Sequence, residues 1–264
     1  MYRKIMGFLE AWKESKHRKP LILQGARQVG KTYSILEFGR THYENVAYFN
    51  FETNPKLNET FEENISPDYL IPILSHIAGQ TIVKEKTLMV FDEVQLCERA
   101  LTSLKYFCEN APDYHIIVAG SLLGVAVNRT KFSFPVGKVD MKTLYPMDME
   151  EFMMALGEDD LVNQIKKCFQ TDTPLPSALH DAAMQLYRQY LVVGGMPECV
   201  MQFAGTKDYI LVRHTQDTIL ASYLNDMSKY NTLNEIKKTR LAYDNITVQL
   251  SKKNTRFQYK LIKK

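Results

Sequence analysis

The chain has little that would staple it, anchor it in a bilayer or hold a transition metal. Its four cysteines, Cys97, Cys108, Cys168 and Cys199, are widely spaced, none belongs to a CxxC pair, and neither HExxH nor CxxH occurs. That spacing argues against a zinc site or a disulfide framework and is what a reducing, cytoplasmic setting would favour. No apolar run approaches the roughly 18 residues of a membrane span, and Met1-Tyr2-Arg3-Lys4 leads straight into an amphipathic stretch without the apolar core of a signal peptide. Neither membrane insertion nor secretion is therefore expected. Internal repeats and low-complexity tracts are missing too. The net charge of +3 is too small to argue for nucleic acid by itself. Its distribution is uneven, however: from Lys237 to the end, Asp244 is the single acid among clustered Lys and Arg. This basic end is a candidate nucleic-acid contact, against the plainer reading of a solvated face.

What is present is an ordinary globular composition, 45% hydrophobic and 24% charged over 264 residues, enough for one large domain or two modest ones. Residues 2–15 read as a helix, with Ile5, Phe8, Leu9 and Trp12 on one stripe. Short apolar runs at 20–24, 45–52, 87–92, 114–119 and 138–144 read as strands, with helices at 34–40 and 100–110 between them. Strands alternating with helices, and apolar throughout, predict a parallel sheet covered on both faces. Residues 1–148 are thus expected to form a three-layer α/β domain. From 149 to 264 the pattern turns mainly helical, with helices at 149–156, 177–193 and 207–224, Ser177 as a candidate cap, and a hinge over 159–176.

The segment Gly25-Ala26-Arg27-Gln28-Val29-Gly30-Lys31-Thr32 matches G-x-x-x-x-G-K-[ST] at every fixed position, between an apolar strand and a helical stretch. A polyphosphate needs many short-range donors. Gly25 and Gly30 allow the backbone to turn its amides inward as an anion nest, and the following helix aims its positive end at the phosphates. Lys31 is placed to reach the β and γ phosphates of ATP, and Thr32 to offer a hydroxyl to Mg²⁺. Tyr33 completes the candidate nucleotide-binding stretch. About sixty residues on, the strand Leu88-Met89-Val90-Phe91 ends in Asp92-Glu93. Alone, that pair could be a solvated strand tip. Beside a complete phosphate loop, Asp92 is a candidate for the Mg²⁺ shell and Glu93 for polarising the attacking water. Ser121, after the strand ending in Gly120, is a candidate contact for the γ-phosphate or the water, with a plain turn as the alternative. Guanine recognition by N-K-x-D is missing, which favours ATP over GTP.

These segments resemble the AAA-type ATPases of the AAA_14/DUF4143 family. The resemblance is carried by Gly25–Thr32, by Phe91-Asp92-Glu93-Val94-Gln95, by Gly120-Ser121, by Leu144-Tyr145-Pro146 with Glu151-Phe152, and by Tyr190-Leu191-Val192-Val193-Gly194-Gly195-Met196-Pro197-Glu198. It implies a P-loop NTPase core of the ASCE type with strand order like 5-1-4-3-2, followed by a helical extension and the start of a winged-helix-like region. It also implies the metal, water and sensor roles of Asp92, Glu93 and Ser121. The family chain continues beyond the point where this one stops, so a truncated second region is expected. Where the family carries arginine in G-R-V, this chain has Lys138, and Arg129 and Arg188 are weak substitutes for an arginine finger. The function expected is Mg²⁺-dependent ATP binding and hydrolysis driving a conformational switch, with further copies of the chain as candidate partners. Two other classes remain: a nucleotide-binding regulatory or scaffold module that hydrolyses little, and a small-molecule kinase. The kinase is disfavoured because no arginine-rich lid is visible and Glu93 directly follows Asp92.

Overall fold

The structure is a computed structural model that describes residues 1–120, 135–229 and 233–252. Residues Met1–Thr206 form one compact unit and Lys207–Lys264 a second.

In the first unit, helix α1 (Ile5–Glu14) precedes β1 (Leu21–Gln24), α2 (Lys31–His42) and β2 (Asn45–Asn50). Then come α3 (Lys56–Glu63), α4 (Pro67–Ala78), β3 (Thr87–Asp92), α5 (Glu98–Asn110), β4 (His115–Gly120) and β5 (Asp140–Thr143). All strand pairings are parallel, in the order β2-β3-β4-β1-β5. Read from its other edge, this is the 5-1-4-3-2 order that the resemblance implies. Side chains alternate across each strand, so neighbouring residues feed opposite cores. Leu21, Leu23, Leu88, Val90, Ile117 and Ala119 pack with Ile5, Leu9 and Trp12 of α1 and with Ile35 and Phe38 of α2. Ile22, Ala47, Phe49, Met89, Phe91, Ile116 and Val118 face the other way, onto Leu57, Leu70 and Leu104 of α3, α4 and α5. This is the expected three-layer sandwich. The central strands β3 and β4 are buried at every residue, while the edge strands β2 and β5 are not. Continuous apolar runs therefore mark the middle of the sheet.

Helices α6 (Met149–Ala155), α7 (Asp159–Gln170), α8 (Ser177–Val193) and α9 (Pro197–Thr206) complete this unit. Asp148 and Glu151 close a capping box at the start of α6, which satisfies donors a helix start leaves open. Two sequence expectations are corrected here. The stretch 159–170, read as part of a hinge, is the helix α7, because Leu161 and Val162 are buried against Met153 and Leu186 and the acids Asp159 and Asp160 suit a first turn. Ser177 does not cap α8; Pro176 holds that position and no side-chain cap bond forms. The glycine pair does end α8, with Gly194 at φ 75. Pro197 then opens α9, since a proline at the first helical position forfeits no bond. Gly195 lies so close to the Met147 backbone that a Cβ would collide with it, and its carbonyl accepts from Met147 N at 2.6 Å.

The second unit contains α10 (Tyr209–Lys229), α11 (Leu233–Asp244) and α12 (Ile246–Leu250). The part of the basic end after Lys252 lies outside the described residues. Among the described residues, no helix is long and apolar enough to cross a membrane, and all four cysteines are free thiols.

Candidate nucleotide site

Strand β1 leaves the sheet at Gln24 and reaches α2 through six residues. Gly25 has φ 153, and a Cβ there would collide with the backbone carbonyl oxygen of Leu144, so the loop begins where only hydrogen fits. Gln28 and Gly30 are also left-handed, at φ 62 and 88, which bends the backbone as an anion nest requires. Gly30 is the N-cap residue of α2, with no side-chain cap bond. The helix thus starts at Lys31 with its first amides free of a capping side chain, the arrangement that suits an anion. Val29 is fully buried and anchors the loop.

Lys31 is 9% exposed, and its ammonium donates to the carbonyls of Gly25 and Ala26 at 2.9 and 2.7 Å. Burial pushes its pKa below the usual lysine value, opposed by the nearby charges of Glu93 and Asp92. Asp92, at the tip of β3, is buried. Its Oδ2 accepts from Thr32 Oγ1 at 2.9 Å and from Tyr48 Oη at 2.7 Å, and its Oδ1 accepts from the Glu93 amide at 3.0 Å. The phosphate loop and the acidic strand tip therefore meet. The joint donor set of Thr32 hydroxyl and Asp92 carboxylate is hard oxygen only, which fits Mg²⁺. Among the described residues no group of three or more His, Cys, Asp and Glu side chains gathers as a metal cage, and Mg²⁺ bound with nucleotide needs none.

Glu93 takes a left-handed conformation, φ 53, as the strand breaks into a short 3₁₀ turn at Val94–Leu96. A non-glycine residue there is strained by about 1–3 kcal/mol. Gln95 Nε2 donates to Glu93 Oε2. Tyr33 is 59% exposed. Ser121 and Arg129 lie outside the described residues; the preceding Gly120 is paired beside Gln24, at the foot of the phosphate loop. Lys138 is held by Glu109 at 2.9 Å, and Arg188 is exposed.

Three neighbours of the site escape sequence reasoning. Tyr48 and Asn50 stand two apart on β2, hence on one face, and Asn50 pairs with Asp92 across the ladder. Asn50 Nδ2 donates to Tyr48 Oη at 3.2 Å. Burial, together with the bond to Asp92, pushes the Tyr48 phenol up to about 12 against the opposing bond from Asn50. Only the β2–β3 register could reveal this pair. The third is Arg3, whose Nη1 donates to Val29 O at 2.8 Å from 26 residues away.

A family model for an AAA domain, AAA_14, matches residues 17–153, more than half of the chain. A second model, the domain of unknown function DUF8612, matches residues 184–264, where the sequence resemblance named DUF4143. No curated protein matches. Among solved structures, Caenorhabditis elegans PCH-2 aligns with 12% identity and a TM-score of 0.36 over 98% of this chain and 64% of its own. The Thermotoga maritima RuvB Holliday junction branch migration motor aligns with 14% identity and a TM-score of 0.42, over 93% of this chain and 74% of its own. AMPPCP-bound DnaA from Aquifex aeolicus aligns with 10% identity and a TM-score of 0.39, over 98% and 83%. The chain thus spans less than two thirds of the PCH-2 chain.

Proposed function

The chain belongs to the AAA_14 family of AAA domains, and from that premise we propose that it binds Mg·ATP at Gly25–Thr32 and hydrolyses it, switching conformation as it does so. The observation that carries this reading is the contact of Thr32 Oγ1 with Asp92 Oδ2 at 2.9 Å, which joins two motifs 60 residues apart at one strand edge. The amides of the loop and of the first turn of α2 receive the phosphates, and the Lys31 ammonium turns from the Gly25 and Ala26 carbonyls to the β and γ oxygens. A bound Mg²⁺ would neutralise charge on those oxygens, with Thr32 and Asp92 as the residues that hold it. Glu93 takes the proton of the attacking water, and Gln95 orients its carboxylate through their hydrogen bond. Ser121, outside the described residues, is assigned here as a contact to the γ-phosphate or the attacking water.

A slower-turning regulatory module is the second reading. The ammonium of Lys138, at the position where the sequence resemblance leads one to expect arginine, is engaged by Glu109. A missing arginine finger lowers turnover by roughly 10³–10⁵. Binding is common to both readings and is tested first. Lys31→Ala is expected to abolish association with a fluorescent ATP analogue while the protein stays folded by circular dichroism. Unchanged affinity in that variant would remove the phosphate-loop assignment.

A further inference from the structure

Beneath the phosphate loop lies a buried cation that the nucleotide chemistry does not use. Arg3 is 4% exposed, and its guanidinium donates in three directions. Nε reaches Glu151 Oε1 at 3.0 Å, Nη2 reaches Tyr145 O at 2.7 Å, and Nη1 reaches Val29 O at 2.8 Å. Glu151, equally buried, accepts in addition from the Lys4 amide at 2.7 Å and from the Asp148 amide at 3.2 Å in the capping box of α6. The guanidinium also stands 3.6 Å from the place a Cβ would occupy on Gly30.

We propose that Arg3 is a positioning residue for the phosphate loop, setting the Val29–Gly30 peptide so that the Gly30 amide faces the phosphates; this rests on the ATP-binding reading above. The physical step is the planarity of the peptide. In a trans peptide the carbonyl and the following N–H point in opposite directions. Arg3 draws the Val29 carbonyl to itself, and the Gly30 N–H is thereby turned to the other side, where the anion is held. Gly30 at φ 88 has no side chain to resist rotation of this unit, so an outside anchor is needed to keep it from flipping. A charged donor on a buried carbonyl is among the stronger hydrogen bonds. Only arginine's planar fork meets Glu151, Tyr145 and Val29 together; a lysine has one nitrogen for three acceptors. Glu151 offsets the buried charge and aims the fork. In this way the amino-terminal segment and the first turn of α6 hold the shape of a loop distant from both in sequence.

The test separates loop positioning from plain stability. Arg3→Met leaves Glu151 buried without its cation and is expected to lower both melting temperature and ATP affinity. The double variant Arg3→Met/Glu151→Gln removes both buried charges while keeping a side-chain carbonyl as acceptor for the capping box, so most of the stability lost in Arg3→Met should return. Its melting temperature should recover, yet its affinity for a fluorescent ATP analogue should stay about tenfold below native, because Val29 O still lacks its donor. Arg3→Lys decides the matter if the double variant does not fold: it should weaken ATP by about the same factor and leave adenosine, which lacks phosphates, unchanged. The Gly30 amide resonance of the ligand-free protein should also move in Arg3→Lys. The proposal is overturned if a stable double variant binds ATP as native does, if ATP and adenosine weaken together in Arg3→Lys, or if the Gly30 resonance stays in place. A native protein that binds no ATP while its Gly30 resonance responds to Arg3→Lys would instead sink the ATP reading and keep Arg3 as the residue that sets this peptide.

Discussion

Replacing Gly25 by alanine should damage the sheet and the nucleotide site together. At φ 153 the residue sits where side chains are rarely tolerated, and the new Cβ would lie closer to Leu144 O than the 3.0 Å that real Cβ atoms keep. Both sides of the collision are backbone, so no rotamer relieves it. Leu144 cannot simply retreat, because its amide donates to Gln24 O at 2.8 Å, continuing the β1–β5 pairing toward the loop. A shift on the order of 1 Å would break that bond, at about 1 kcal/mol, and backbone strain adds about 1–3 kcal/mol. The sum is about 2–4 kcal/mol, which for a domain near 200 residues corresponds to a fall of about 10 °C in Tm. Thermal melting by circular dichroism reads the loss, and titration with a fluorescent ATP analogue reads the loop. Gly7→Ala provides the opposite sign. Gly7 lies inside α1, is exposed, and has nothing within 4 Å of an added Cβ, so it should be neutral or stabilising by about 0.5–1 kcal/mol. A Gly25→Ala protein melting within about 2 °C of native and binding nucleotide normally would refute the close-approach argument.

Glu93→Gln should retain binding of Mg·ATP and lose phosphate release, since the amide cannot accept the water's proton; equal release by the two proteins, measured in single turnover, would remove Glu93 from catalysis. His115 should make the protein acid-sensitive. Burial, with the nearby cations of Arg18 and Lys13, lowers its pKa to about 4 in the fold from 6.5, and its Nδ1 lies 2.7 Å from Tyr43 Oη. Between those two pH values the unfolded chain binds the proton that the folded one refuses, so stability falls as pH drops from about 6.5 to about 4 and is level below. The expected loss is about 2 kcal/mol, checked by urea unfolding at pH 7 and pH 4.5; a His115→Asn protein with the same pH slope would show that another group is responsible.

The regions that sequence reasoning read well share a local cause. The central strands are legible because burial on both faces writes an unbroken apolar run, as in Leu88–Phe91 and Ile116–Ala119. Helices α3 and α4 were not anticipated. Helix α3 is short, with only Leu57 and Phe61 buried, and α4 carries Pro72 inside an apolar stretch, Tyr69-Leu70-Ile71-Pro72-Ile73-Leu74, where proline argues against a helix although the helix runs through it. Both pack into the core that holds Phe49, Phe51 and Phe91. Helix α7 reads as part of a hinge because the turn residues Thr171-Asp172-Thr173-Pro174 just beyond it outweigh a clear helical stripe, Leu161, Val162 and Ile165, which packs against Met153 and Leu186.

Local sequence determined the phosphate loop and the acidic strand tip, because a nest of amides and a carboxylate at a strand's end are built from consecutive residues whose backbone preferences are their own. That Tyr48 supports Asp92, that Arg3 grips Val29, and that Gly195 and Gly25 must be bare against Met147 and Leu144, was decided only by the tertiary structure. Those contacts join residues separated by tens of positions or more. Their distances depend on strand register and helix packing, which no short stretch of sequence encodes.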